Sequence, residues 1–332
     1  MSQGIQMDWG KLHAGHFAGS RALVTGGAGF IGSHLAESLV QLGCQVMVLD
    51  DLSGGTTQNL ASFKPVEFVE GSILDRDLVG RCMRGCRYVF HQAALGSVPR
   101  SVEEPRLYNE VNTVGTLNVL EAAREAGVFR LMFAASSSAY GENAVPWIET
   151  LPPLPCSPYA ATKLAGEGLL RAYAVSYGMD TVALRYFNIF GPRQNANSAY
   201  AAVIAAFAKA LLAGKRPVIY GDGEQSRDFT FVANAVHANL LAGTREKMIQ
   251  GEVINVGCGS RISVNQLAQT MAAAMGHNGL TPIHEPERAG DIRHSYADMR
   301  RARELLGYEP IVGLQQGLEQ TMAWYRSALA SQ

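Results

Sequence analysis

A doubly wound α/β fold, a parallel sheet with helices on both faces, is predicted for this 332-residue chain by three observations. Short β-branched runs alternate with helical patterns through the N-terminal half. A glycine-rich turn, "GGAGFIGSHL" at 26–35, stands between the first such run and the first helix. An acidic pair, Asp50 and Asp51, closes the second run.

Taken in order, "RALVTG" is strand one and "FIGSHLAESLVQLG" its helix, followed by "QVMVLDD" as strand two. "VEFVEGS" is strand three, and "DRDLVGRCMRG" is the helix after it. "YVFHQAA" is strand four, and "NEVNTVGTLNVLEAAREAG" reads as one long amphipathic helix that Gly127 can stop. "RLMFAASSSAY" is strand five, ending in a serine cluster. The next helix, "SPYAATKLAGEGLLRAYAVSYG", carries Pro158 where a first helical turn accepts it. "DTVALRYFNIFG" is strand six. After Gly191 the segments "NANSAYAAVIAAFAKALLAG", "RPVIYGDG", "RDFTFV", "GEVINVG", "SVNQLAQTMAAAMG" and "PIHEPERAGDIRHSYAD" mix short strands and helices without clean alternation. A smaller region for a second ligand has this look. The expected division is an extension at 1–20, a dinucleotide-binding domain at 21–190 and a second-ligand region at 191–332. Some interleaving of segments is expected, and the two parts pack as one body with a cleft between them.

Bulk properties exclude several classes of function. With 47% hydrophobic and 17% charged residues, the chain is an ordinary globular one with length enough for a core. A net charge of -1 gives no electrostatic reason to expect nucleic acid or an anionic membrane as partner. The five cysteines are scattered, and Cys82 and Cys86 have no second Cys or His cluster beside them, so no metal site is expected. The first twenty residues lack the apolar segment of a signal peptide, and "AYAAVIAAFA" is too short to span a membrane. A cytoplasmic protein is expected.

Gly26, Gly29 and Gly32 make a G-x-x-G-x-x-G turn, one residue wider in its first gap than the usual dinucleotide fingerprint. One glycine makes the turn, one lets the backbone approach a pyrophosphate, and one lets helix and strand pack closely. The following helix offers free N–H groups to the phosphates. Asp50, at the end of strand two, can accept hydrogen bonds from the adenosine ribose hydroxyls. Together with Asp51 it repels a 2′-phosphate, which favours NAD over NADP. A dehydrogenase, an isomerase that retains its cofactor and a non-catalytic sensor all remain compatible with this turn.

Tyr159 and Lys163 are four residues apart, so a helix puts them on one face. An ammonium near a phenol favours the phenolate and lowers a pKa that is ordinarily near 10. Such a Tyr can take a proton from a sugar hydroxyl while hydride leaves the same carbon.

"TGGAGFIG", "HQAA", "ASSSAYG", "SPYAATK", "RYFNIFGPRQ", "GDGEQSRDF" and "RAGDIRHSYAD" together resemble the extended short-chain dehydrogenase/reductase family of nucleotide-sugar enzymes. The likeness runs from about Arg21 to Trp324. "HQAALGSVPRS" and "NANSAYAAVI" are most similar to the bacterial UDP-N-acetylglucosamine 4-epimerases of the family. The resemblance implies a Rossmann-type fold with NAD as cofactor, and Ser136, Tyr159 and Lys163 as the catalytic set. It also implies cofactor contacts from Gly26, Gly29, Phe30, Ile31, Gly32, Asp50, Asp51, Ser53, Gly54, Ile73, Gln92, Ala93, Ala94, Tyr159 and Lys163, with Asn112 positioning the catalytic groups. Ser72 stands where an Asp often caps the adenine and can accept the same hydrogen bond more weakly. A UDP-sugar is implied beside Gly96, Ser97, Ser137, Ser138, Gln194, Ala202 and Val203. Asn188 is implied at its pyrophosphate, Tyr220 at the uracil and Asp291 at the uridine ribose. Arg227 and Arg288 are implied on the diphosphate, where guanidinium geometry suits phosphate. A homodimer built through a four-helix bundle, from the helices holding 112–126 and 158–177, is a further implication.

Within the family, hydride removal from sugar C4 begins epimerisation, 4,6-dehydration and decarboxylation alike. Dehydratases carry Asp-Glu where this chain has Ser137 and Ser138, and decarboxylases carry a Glu in that segment. Epimerisation at C4 needs only hydroxyls there and is the expected reaction. Ser295 falls where a bulky Tyr restricts the pocket to plain hexoses, so UDP-GlcNAc and UDP-GalNAc are the expected pair. UDP-glucose and UDP-galactose, or a UDP-hexuronic acid with Arg100 or Arg193 at its carboxylate, remain alternatives. A UDP-uronate decarboxylase and an NAD-binding regulator without turnover also remain.

Overall fold

The computed structural model describes residues 7–196, 202–276, 281–287 and 292–330. Seven parallel strands form the main sheet: β1 (Arg21–Thr25), β2 (Gln45–Asp50), β3 (Glu67–Glu70), β4 (Tyr88–His91), β5 (Arg130–Ser136), β6 (Thr181–Tyr186) and β7 (Glu252–Val256). Their order across the sheet is β3-β2-β1-β4-β5-β6-β7. β1, β4, β5 and β6 are buried along almost their whole length, as a parallel sheet covered on both faces requires. The doubly wound Rossmann-type fold is therefore present. The order reverses between β1 and β4, and such a switch leaves a crevice at the carboxyl ends of the strands.

β7 comes from chain well beyond residue 191, within the stretch that shows no clean alternation. It pairs with β6 from Glu252↔Val182 to Val256↔Tyr186. The helix Val232–Thr244 precedes it and is buried nearly all round, so this later chain completes the dinucleotide-binding layer. The remainder forms small two-stranded pairs: Ile189–Phe190 with Thr230–Phe231, Ser226–Arg227 with Ile262–Ser263, and Val218–Tyr220 with Ile283–Glu285.

Two elements differ from their sequence reading. The long helix expected over 109–127 is two helices, Pro105–Asn109 and Gly115–Glu125, joined by a π turn at Glu110–Val114. The wider turn carries Asn112, whose amide holds both backbone groups of Leu95 (2.8 and 3.1 Å) and the Thr162 hydroxyl (3.1 Å). Strand six ends at Tyr186 because Asn188 turns the chain, with a φ of 39°. The first twenty residues are folded onto the body from residue 7. Trp9 and Phe17 are buried, and His13 meets His237 of the helix Val232–Thr244 at 2.9 Å.

One buried ion pair ties the late chain to the sheet. Arg130, at the start of β5, pairs with Asp180 and donates to the carbonyls of Ala242, Arg245 and Lys247. The Asp180 carboxylate accepts the N–H groups of Ile249 and Gln250. Removing one partner of a buried pair leaves the other charge uncompensated. Arg130→Ala should therefore lower unfolding free energy by about 3–5 kcal/mol, read from the urea midpoint at constant m-value. A change within experimental error would show that the pair does not hold the layer together.

Candidate active site

A cleft of about 870 Å³ opens at the carboxyl ends of the strands. Each glycine of the turn has a steric reason to be there. A Cβ on Gly26 would lie 2.6 Å from the Ala93 nitrogen, and one on Gly32 would lie 2.1 Å from the Gly26 carbonyl. Gly26 has a φ of 67°, which L side chains rarely adopt. A Cβ on Gly29 would meet only the Gly26 carbonyl, at 3.1 Å, so its remaining side faces open cleft. The helix Phe30–Gln41 begins at Gly29 without a side-chain cap, leaving N–H groups for an anion.

Asp50 closes β2 and is buried; it accepts the N–H groups of Ala28 and Leu52, each at 2.9 Å. Burial raises its pKa above the ordinary carboxylate value, and these N–H bonds oppose the rise. Asp51 is exposed at the cleft and accepts the Ser53 N–H and hydroxyl. Phe30, Ile31, Ser53, Gly54, Ile73, Gln92, Ala93 and Ala94 line the same half of the cleft. Ser72 and Asn112 stand outside its wall: the Ser72 hydroxyl accepts the Leu74 N–H, and Asn112 braces Leu95 from behind. An uncapped helix end, a glycine cradle and a buried ribose acceptor fit NAD.

At the deep end β5 delivers Ser136, and the helix Pro158–Tyr177 delivers Tyr159 and Lys163. Lys163 is buried and donates to the Ala134 carbonyl at 2.7 Å. Burial lowers its pKa from 10.5 to about 7, against the attraction of Glu167 one turn on. Glu167 in turn is held by Arg185 through two bonds of 2.8 and 2.7 Å. The expected depression of the Tyr159 pKa by Lys163 is not found in this geometry. Burial raises the phenol, and a Ser136 hydrogen bond opposes that rise. Burial drives Lys163 itself toward its neutral form, and its amine turns to the Ala134 carbonyl, 6.0 Å from the tyrosine ring centroid.

Gly96, Ser137, Ser138, Asn188, Gln194, Arg227 and Ser295 line the other half of the cleft. Asn188 donates to the Ser295 hydroxyl and to the Asp228 carbonyl, both at 3.0 Å. Ser97 caps the helix Val98–Glu103 instead of facing the cleft. Ala202 and Val203 begin the helix Val203–Leu212, and Tyr220 lies on the small pair with Ile283–Glu285; all three are outside the cleft wall. Arg288 and Asp291 lie outside the described residues. Arg100 is paired with Glu104, and Arg193 is buried against Glu37; neither lines the cleft.

Several wall residues carry no sequence signal, namely Val98, Pro99, Trp147, Cys156, Tyr186 and Ile292. Asp228 was also missed, yet its buried carboxylate accepts the N–H groups of Cys258 and Gly259, and more weakly that of Ala297. One side chain so gathers the segment bearing Arg227, the loop after β7 and the segment bearing Ser295. An acid directly after an arginine and before an alternating aromatic run, within "SRDFTF", was the available hint.

Cleft and fold together define a dinucleotide-dependent enzyme acting on a second, polar ligand. The NAD dependent epimerase/dehydratase family matches residues 22–257, and the chain belongs to that family, with NAD as its cofactor. A UDP-glucose 4-epimerase of Mycolicibacterium smegmatis is 42% identical over 313 residues, covering 92% of this chain and 99% of that protein. The structure of a UDP-N-acetylglucosamine 4-epimerase from Methanobrevibacter ruminantium, in complex with UDP-N-acetylmuramic acid, is 39% identical with a TM-score of 0.89. That match covers 94% of this chain and 99% of the other. The UDP-glucose 4-epimerase of Thermus thermophilus in complex with NAD is 39% identical with a TM-score of 0.84, covering 93% and 99%. The class is an NAD-dependent epimerase of a nucleotide sugar.

The low Lys163 pKa makes a prediction. An anionic dinucleotide favours the ammonium and raises that pKa, so protein stripped of NAD should take up protons on rebinding it near pH 8. Calorimetry in two buffers of different ionisation enthalpy should give different heats, and Lys163→Met should remove the difference. Equal heats for the unaltered protein would contradict the assignment.

Proposed function

We propose that this chain interconverts UDP-N-acetylglucosamine and UDP-N-acetylgalactosamine by inverting C4. The observation that carries this reading is the make-up of the sugar end. Hydroxyls of Ser136, Ser137 and Ser138 line it, small Ser295 forms part of its wall, and the lining acids Asp50 and Asp51 belong to the adenosine end. Elimination or decarboxylation would need an acid or base there that these residues do not offer. A bound NAD supplies a reversible hydride acceptor for sugar C4. Tyr159 would take the 4-hydroxyl proton and return it, Lys163 would hold positive charge in the same cleft, and Arg227 would meet the diphosphate.

Arg227 is the arginine that lines the cleft among the described residues. The pairing of Arg100 and Arg193 elsewhere weakens the uronic acid alternative and, with it, decarboxylation. The resemblance to UDP-glucose 4-epimerases supports a second reading, UDP-glucose and UDP-galactose, which differs only at the 2-substituent. Bringing Ser136, Tyr159 and Lys163 into one cleft speaks against a regulator without turnover. A homodimer through the two helices is also proposed: Leu107, Val114, Leu117, Val175 and Tyr177 are exposed apolar side chains on or beside them. No helix among the described residues is long and apolar enough to cross a membrane.

Purified protein given UDP-GlcNAc without added cofactor should form UDP-GalNAc, followed by chromatography of the nucleotide sugars. Turnover of UDP-glucose alone would select the second reading, and turnover of a uronic acid derivative alone would sink both. Tyr159→Phe should lose on the order of 100-fold or more in kcat while retaining NAD; undiminished kcat would remove the proton-transfer role. Ser295→Tyr should depress kcat/KM for N-acetylated sugars more than for plain hexoses, and equal losses would end its gatekeeper role.

A further inference from the structure

The three hydroxyls at the end of β5 are not equivalent. Ser136 Oγ caps the 3-10 turn Ser137–Tyr140 by accepting the Ser138 backbone N–H at 3.2 Å. The Ser138 hydroxyl donates to the same oxygen at 2.9 Å. A serine hydroxyl has one proton to donate and two lone pairs to accept with. Both Ser136 lone pairs are therefore engaged by a single residue, and what remains to Ser136 is donation. The phenol of Tyr159 is the group beside it that can receive that bond.

We infer that Ser138 is a positioning residue: by filling the Ser136 lone pairs it aims the Ser136 proton into the cleft, at Tyr159 first and at the sugar 4-oxygen as the carbonyl forms. Ser136 then acts as a donor only and cannot relay the substrate proton. In the oxidation half-reaction the sugar O4–H bond breaks and its proton goes to Tyr159 Oη. The C4 hydrogen leaves with its electron pair to the dinucleotide, and C4–O4 becomes a double bond. Ser136 keeps its own proton and hydrogen-bonds O4 as the carbonyl forms. The return half reverses each of these steps on the opposite face of the sugar. This inference rests on the 4-epimerase reading but not on the choice of sugar.

Holoenzyme carrying Ser138→Ala or Ser138→Thr tests it, with whichever UDP-hexose the unaltered protein turns over. Alanine leaves the backbone N–H cap in place and removes the hydroxyl alone. The Ala variant should retain NAD and lose about 10- to 100-fold in kcat/KM at neutral pH, the worth of one hydrogen bond to a charged oxygen. Its acid limb should move to higher pH, because a phenolate without a fixed donor holds its proton more tightly. The Thr variant, which keeps a hydroxyl, should return the limb to its original place. The Tyr159 ionisation, read as tyrosinate absorbance less that of Tyr159→Phe, should move the same way and needs no turnover. That readout tests Ser138 even if the epimerase reading fails. An unmoved acid limb and tyrosinate titration in the Ala variant would overturn the inference. A raised KM alongside would then mean that Ser138 touches the sugar directly.

Discussion

The close approach of the helix Pro158–Tyr177 to β5 is the constraint on which the site depends. Gly166 makes it possible: a Cβ there would lie 2.5 Å from Cζ of Phe133. With the helix that near, Lys163 reaches the Ala134 carbonyl and is sealed from water. Tyr159, one turn earlier on the same face, then comes beside Ser136, two residues further along the strand. A longer helix–sheet distance would separate all three groups at once. The glycine turn sets the other wall in the same way, because Gly26 lets the chain pass against Gln92 and Ala93 at the switch between β1 and β4.

Burial then decides the electrostatics. Lys163, Glu167 and Arg185 are all buried, and each charge has a partner: Lys163 has a carbonyl and the field of Glu167, and Glu167 has Arg185. Desolvation nonetheless leaves the lysine near neutrality and the Tyr159 phenol well protonated. In the function proposed, a bound NAD would supply the positive charge that lets Tyr159 act as a base, directly and by favouring the Lys163 ammonium. The chemistry is thereby tied to an occupied dinucleotide site, which suits a cofactor that stays in place.

Local signals made much of this legible. The alternation of runs and helices, the glycine turn with Asp50, and the Tyr159–Lys163 spacing each lie within one supersecondary unit, so the sequence carries them directly. Long-range features were not legible. β7 joins β6 across some seventy residues of chain, and nothing in "GEVINVG" says which sheet it enters. Asp228 looks like a surface acid until three separate segments are seen to converge on it. Trp147 and Ile292 become wall only by folding, since apolar residues carry no sign of which cavity they face. The Lys163–Tyr159 electrostatics were not legible because helical spacing fixes a shared face but not how deeply the two groups are buried.

The central claim is that a hydride leaves C4 and a proton leaves O4, and that both return within one binding event. UDP-GlcNAc carrying deuterium at C4, incubated in ordinary water with purified protein and no added cofactor, tests this most directly by NMR of the epimerised product. Full retention of deuterium at C4, with no NADH accumulating, is the result this account predicts. Loss of deuterium to solvent, or turnover only when NAD is supplied in stoichiometric amount, would contradict it.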